Sequence, residues 1–398
     1  MATQTYRITP RDLLFFRDGR PLDLNKQDKE HRNIGHGAFW PRPDHLYNAV
    51  MHALVGSRTA GEKAAFGQFG GLQVVGPFPL KKEAGKKDET LFLPRPLDWD
   101  CLLEEMPGNT TDAPKFLKHG IIDRADGKKD YPAWISLSDY SAYLSADLSD
   151  DKLGNRKLDK PALFKVEPRI GNTIDSNTGT SKRVQDKSRS GQYEAQYLRL
   201  ESDVTMWAAA DVGRDNMSVP SAFVMGGQGF LVDFDCDGNL PSLHDKLRKP
   251  SCPNGEGPFF VRWTLLTPAL FEQTGWLPGW VDAEQDGKVR LKEREVKREA
   301  GEPREAWKAR QAQVPELSDV YLDAAFVGKA VVFSGYDAVD GVKPTRLAVP
   351  AGSCYIFRCE NAGAAKALID LLHLTRKSDF GSQGFGMGVC SIVKVHQH

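Results

Sequence analysis

Apolar and polar side chains alternate through Thr5-Tyr6-Arg7-Ile8-Thr9, the period of a strand with one buried face. From Pro43 to Ser57 the period changes. Leu46, Ala49, Val50, Ala53 and Leu54 recur at helical spacing there and predict a helix. Pro43 suits its first turn, Asp44 complements its positive end, and Gly56 can stop it. Leu72 to Phe78 and Thr90 to Leu93 then read as strands around the polar loop Lys81 to Glu89. The order recurs near the other end, with a strand at Ser353 to Cys359, a helix from Ala362 to Arg376 carrying Leu368, Ile369, Leu371 and Leu372, and a last strand through Val389 to Val395. Two βαβ-like halves thus bracket the chain. With antiparallel strands added, this predicts an α+β protein of two ferredoxin-like (RRM-like) domains, each with helices packed on one face of its sheet.

Composition narrows the class. The chain has 398 residues, enough for two core-forming domains, with 40% hydrophobic and 27% charged residues. No apolar run approaches the roughly 20 residues that span a bilayer, and the N-terminus leads into a strand and not into a basic-then-apolar signal. The expectation is a cytoplasmic globular protein with no membrane partner. Six cysteines without a C-x-x-C pair read as reduced thiols. Fifty-three basic and 53 acidic residues cancel, so any grip on nucleic acid must come from a local patch and not from bulk charge. Asp151 to Gln196 supplies one, with Lys152, Arg156, Lys157, Lys160, Lys165, Arg169, Lys182, Arg183, Lys187 and Arg189 among Gly, Ser, Asn and Thr. Asp282 to Gln313 alternates Glu with Lys and Arg and reads as a solvated helix or a mobile insertion.

Several segments are candidates for chemistry. Asp379 to Gly388 places four glycines in eight residues ahead of the final strand. A dinucleotide fingerprint or a P-loop needs a helix after its glycines, so both are excluded. Two readings stay open: amides facing an anionic or planar partner from the lip of a sheet, or a tight turn before a terminal strand. Val224 to Val232 is a second glycine loop leading into a strand. Arg17 and Arg20 flank an Asp18-Gly19 turn just after Leu13-Leu14-Phe15-Phe16, as a core anchor with an internal ion pair or as forked donors for phosphates and bases. Val166 to Asp175 and Gly191 to Leu200 read as the arms of a long basic hairpin with Ser181 to Ser190 at its tip and Tyr193 and Tyr197 at its root, suited to wedging beside a single strand. His31, His36, His45 and His52 show no metal-ligand spacing, so no metal and no cofactor is expected. His36 or His45 remains available to a metal-free ribonuclease.

In this order the motifs resemble the RAMP superfamily of CRISPR effector complexes, and within it the third subunit of the type III-B Cmr complex. The resemblance runs nearly end to end. It rests on Leu14-Phe15-Phe16-Arg17-Asp18-Gly19-Arg20-Pro21, Glu167-Pro168-Arg169-Ile170-Gly171, Met225-Gly226-Gly227, Leu265-Leu266-Thr267-Pro268-Ala269-Leu270-Phe271, Gly275-Trp276-Leu277-Pro278-Gly279, Val349-Pro350-Ala351-Gly352-Ser353 and Gly384-Phe385-Gly386.

The resemblance implies ferredoxin-like RAMP domains at 1–165 and 201–398, the second with a charged insertion at 282–313, and a protruding thumb-like hairpin at 166–200. It further implies a non-catalytic subunit that holds the 5′ repeat-derived handle of the guide RNA (crRNA). Such a subunit docks the large polymerase/cyclase-like subunit, adjoins a backbone RAMP subunit and meets target RNA only indirectly. Carried onto this chain, Arg17, Arg20, Arg169, Lys182, Arg183, Gly226, Gly227, Gly384, Phe385 and Gly386 become RNA-contact candidates. A guide-processing endoribonuclease and a purely architectural adaptor are the alternatives.

Overall fold

The computed structural model describes residues 4–17, 33–35, 37–55, 71–83, 85, 88–105, 116–123, 130–146, 156–172, 174, 178–180, 192–212, 219–251, 255–271, 275–296, 302–334, 336–337, 341–342 and 344–393. It divides into two units, each discontinuous in sequence: 1–91 with 162–240 and 332–347, and 92–161 with 241–331 and 348–398. This division runs through the chain differently from the contiguous 1–165 and 201–398 expected from the resemblance.

In the first unit, strand β1 (Gln4–Pro10) is followed by helix α1 (Pro43–Val55) and strand β2 (Gln73–Lys82). Later in the chain come β3 (Phe164–Asn172), β4 (Gln192–Leu200), β5 (Val204–Asp211), β6 (Ala222–Val224) and β7 (Leu231–Cys236). The main sheet contains the run β6-β7-β1-β5-β2, with each neighbour antiparallel. Because β5 lies between β1 and β2, those two are parallel and α1 joins them as a split βαβ. Register pairs Tyr6 with Ala208 and Ile8 with Met206, and these inward residues pack with Leu46 and Val50 of α1. Arg7, one step out of phase, instead forms ion pairs with Glu89 and Asp237.

The second unit repeats the device. Its sheet contains β8 (Phe259–Leu265), β9 (Val320–Phe326), β10 (Cys354–Cys359) and β11 (Gly388–Val393) in the order β9-β10-β8-β11. With β8 between them, β10 and β11 are parallel and flank the helix Ala362–Leu372. Asn361 caps that helix by accepting from the Ala364 N–H at 2.9 Å, and its buried Leu368, Ile369, Leu371 and Leu372 pack on Trp263, Tyr355 and Phe357. One split βαβ per unit is the part of a ferredoxin-like arrangement that the described residues contain.

The charged stretch at 282–313 is only partly a solvated segment. Helix Arg304–Gln313 has no buried residue, but Val281–Asp282 and Lys288–Val289 add two short strands to the second sheet, with Val289 fully buried. Apolar residues spaced along a charged run supply the buried edge that mean charge conceals.

Candidate nucleic-acid interface

The segment after β1 is threaded through the first unit by its backbone. Leu14 and Leu198 of β4 exchange both hydrogen bonds, at 2.9 and 2.8 Å. Arg17 pairs with Gly37, and the Ala38 N–H donates to the Phe16 carbonyl at 2.7 Å. Alternation then sorts the side chains. Leu14 and Phe16 enter the main core of the unit, Leu13 and the half-buried Phe15 pack instead with Ala195 and Tyr197, and Arg17 is exposed.

A glycine turn closes over this segment between β6 and β7. The Met225 N–H donates to the Phe230 carbonyl at 3.0 Å, and the Gly227 N–H donates to the Phe15 carbonyl at 2.8 Å. Gly226 sits at φ +83°, and a Cβ there would lie 2.6 Å from the Phe15 oxygen and 2.8 Å from the Phe16 ring. Only glycine meets both demands. Gly226, Gly227, Gln228 and Gly229 are themselves exposed.

Beside the turn, β3 pairs antiparallel with β4 from Phe164 opposite Leu200 to Asn172 opposite Gln192. Pro168 lacks an amide donor, which suits the edge position that β3 holds in its three-stranded sheet. Arg169 lies over the Tyr197 ring at 5.8 Å, and Tyr197 in turn meets Phe15 at 5.3 Å and Phe230 at 5.7 Å. Glu167 accepts from Arg199 at 2.6 Å and from Arg169 at 2.9 Å, and these two arginines hold its carboxyl below the usual pKa. Two guanidinium groups thus share one carboxylate beside an aromatic cluster and an open glycine turn. Tyr197 itself is buried and the Phe15 and Phe230 rings are half-buried, so what this corner offers a nucleic-acid strand is the exposed Arg169 beside the exposed glycine turn, a cation of the kind that contacts phosphates.

Of the sequence-derived candidates, Arg17, Arg169, Gly226 and Gly227 belong to this unit and are tied together by these contacts. Arg20, Lys182, Arg183, His31 and His36 lie outside the described residues. Gly384, Phe385 and Gly386 belong to the second unit and are buried. The Gly384 amide donates to the Gly381 carbonyl at 2.9 Å and the Gly386 amide to the Pro268 carbonyl at 2.8 Å, so the tight-turn reading describes this loop. Its amides serve the fold because Pro268 and Leu270 are drawn against it.

His45, near the start of α1, stacks on Phe16 with 4.8 Å between ring centroids. Its Nδ1 accepts from the Arg42 amide at 3.1 Å. Burial lowers its pKa from 6.5 to about 4; Asp44 opposes that shift and Arg42 adds to it. The unfolded chain therefore binds more protons than the folded one across that interval, so stability falls as pH drops through it, by up to about 3 kcal/mol. Urea denaturation at pH 7 and pH 4.5 is expected to show a smaller acid loss in His45→Gln than in the unsubstituted chain. Equal losses would remove His45 as the cause. His45 and His52 stand seven residues apart in α1, but His52 is exposed and only tertiary packing separates their roles. Among the described residues no group of His, Cys, Asp and Glu is arranged to hold a metal ion.

Fold and site together define a class: a mostly antiparallel α+β protein that presents arginine and glycine-turn groups beside a packed aromatic cluster from one unit. The family model described as CRISPR-associated protein (Cas_Cmr3) matches residues 6–390. The chain belongs to that family, the third subunits of type III-B Cmr effector complexes. No curated protein matches it. Among solved structures it is similar to a chain of the type III-B Cmr-beta complex bound to cognate target RNA and AMPPnP, at 15% identity and a TM-score of 0.45, over 89% of this chain and 86% of that one. A chain of Cmr-beta bound to cognate target RNA is similar at 15% identity and a TM-score of 0.44, over 96% and 95%. A chain of the Csm3-Csm4 subcomplex of the type III-A interference complex is similar at 9% identity and a TM-score of 0.37, over 88% and 92%.

Proposed function

We propose that this chain is a non-catalytic RNA-binding subunit of a type III-B complex that holds the 5′ repeat-derived handle of the guide RNA and docks the large polymerase/cyclase-like subunit. The observation that carries the reading is the clamp on Phe15: its carbonyl accepts from Gly227 while Phe15 and Arg169 both approach Tyr197. A splayed strand on such a surface meets guanidinium groups at its phosphates beside the half-buried Phe15 and Phe230 rings, so its affinity falls with added salt. The handle is the natural ligand for a subunit that recognises a constant RNA end. Neutral net charge leaves the rest of the surface suited to protein neighbours, the large subunit and a backbone RAMP subunit. With a pKa of about 4, His45 is neutral near pH 7 and is not the imidazolium that a general acid requires.

Binding to RNA bearing the handle, read by fluorescence anisotropy, tests this. Arg17→Ala and Arg169→Ala are each expected to weaken binding by about 1 to 3 kcal/mol. Unchanged affinity in the folded double variant would remove the site. Incubation with repeat RNA in EDTA is expected to yield no cleavage, and site-specific cleavage would overturn the non-catalytic reading.

A further inference from the structure

We infer that Phe39 is a base-stacking platform for the single-stranded RNA whose phosphates Arg17 contacts; this rests on the RNA-binding reading above and adds a residue that reading does not contain. An exposed phenylalanine alone means little, since folded surfaces carry many apolar atoms. Phe39 differs because its side chain is 66% exposed while the backbone around it is pinned. Two residues before it, Gly37 pairs with Arg17, and a Cβ on Gly37 would run into the Gln196 backbone. One residue before it, the Ala38 amide donates to Phe16 at 2.7 Å. One residue after it, the Trp40 indole N–H donates to the Pro77 carbonyl at 2.8 Å and its ring packs 5.8 Å from Phe164. The ring is therefore held out to solvent by tied neighbours and not by a loose loop.

That geometry favours RNA as its partner. Stacking on a fixed ring costs little ordering entropy and accepts any base. Arg17 is an exposed cation whose backbone pairs with Gly37, two residues before Phe39, and it supplies a positive charge on the same segment for a phosphate flanking the stacked base. The other described aromatic ring among the most exposed apolar side chains, Phe380, is 38% exposed and belongs to the second unit.

The full-length chain and RNA carrying the 5′ handle provide the test, with affinity measured by anisotropy over a range of salt. Phe39→Ala is expected to weaken binding about tenfold to a hundredfold, the scale of one lost stack. The slope of affinity against salt should stay unchanged, because no charge is removed. Phe39→Trp should restore binding, and the melting temperature of both variants should match that of the parent. If Phe39→Ala binds normally while Arg17→Ala binds weakly, the platform is overturned and the RNA-binding reading survives. If both bind normally, that reading falls and takes the platform with it. Should Phe39→Ala leave RNA affinity intact but release a copurifying subunit, Phe39 is a protein contact and the inference is wrong.

Discussion

Arg262→Met is expected to destabilise the second unit by about 3 to 5 kcal/mol, because it strands a carboxylate in the core. Arg262 on β8 and Asp98 both have fully buried side chains, with 3.3 Å between Nη1 and Oδ2. Arg262 also donates from Nε to Ser391 Oγ at 3.0 Å and from Nη2 to the Tyr143 carbonyl at 2.8 Å. The Tyr143 ring lies 3.8 Å from its guanidinium carbon, and the Tyr143 hydroxyl donates to Asp98 at 2.6 Å. Burial by itself would lower the Arg262 pKa, but Tyr143 and Asp98 outweigh it and raise the value. The network joins helix Leu137–Ser145 to the sheet face opposite Trp263. Urea denaturation checks the figure. The double variant Arg262→Met with Asp98→Leu should recover much of the loss, since no buried charge then lacks a partner. A single-variant loss below about 1 kcal/mol would mean that water reaches Asp98.

Gly386→Val is the second large effect, at about 3 kcal/mol or more. Gly386 has φ +69°, where a β-branched residue is strained, and a Cβ there would overlap Ser378. Ser378 cannot yield cheaply. Its Oγ accepts from the Leu270 amide at 2.7 Å and donates to the Leu270 carbonyl at 3.0 Å. The variant should therefore lose thermal stability before any change in RNA affinity, when binding is measured well below its melting temperature. An RNA-binding loss in a variant with unchanged melting would instead give this turn a direct contact with RNA.

Much of the architecture was legible from periodicity. The strand at Thr5 to Thr9 and the helices beginning at Pro43 and Ala362 each show one apolar face, the final strand is buried on both faces, and each occurs within a residue or two of its expected limits except at the Ala362 helix end, Leu372 in place of Arg376. The arms at 166–175 and 191–200 pair as Phe164–Asn172 with Gln192–Leu200. Contacts between distant segments were not legible. Nothing near Arg262 in sequence announces Asp98, which lies 164 positions away, and an arginine in an alternating strand reads as solvent-facing until a helix covers that face. The same holds for Phe385: a glycine-rich run permits both an open lip and a packed turn, and the approach of Pro268 decides between them.

What the amino-acid order determined by itself was local: which segments become strands and helices, where positive φ is tolerated, and that the basic residues cluster in a chain with no net charge. Tertiary structure alone decided which arginine is buried and which exposed, which glycine turn stays open, and that Phe39 stands out from a pinned backbone. The reason is physical. Backbone period and turn chemistry act over a few residues, whereas burial and pairing depend on segments far apart in the chain that meet only when both cores form.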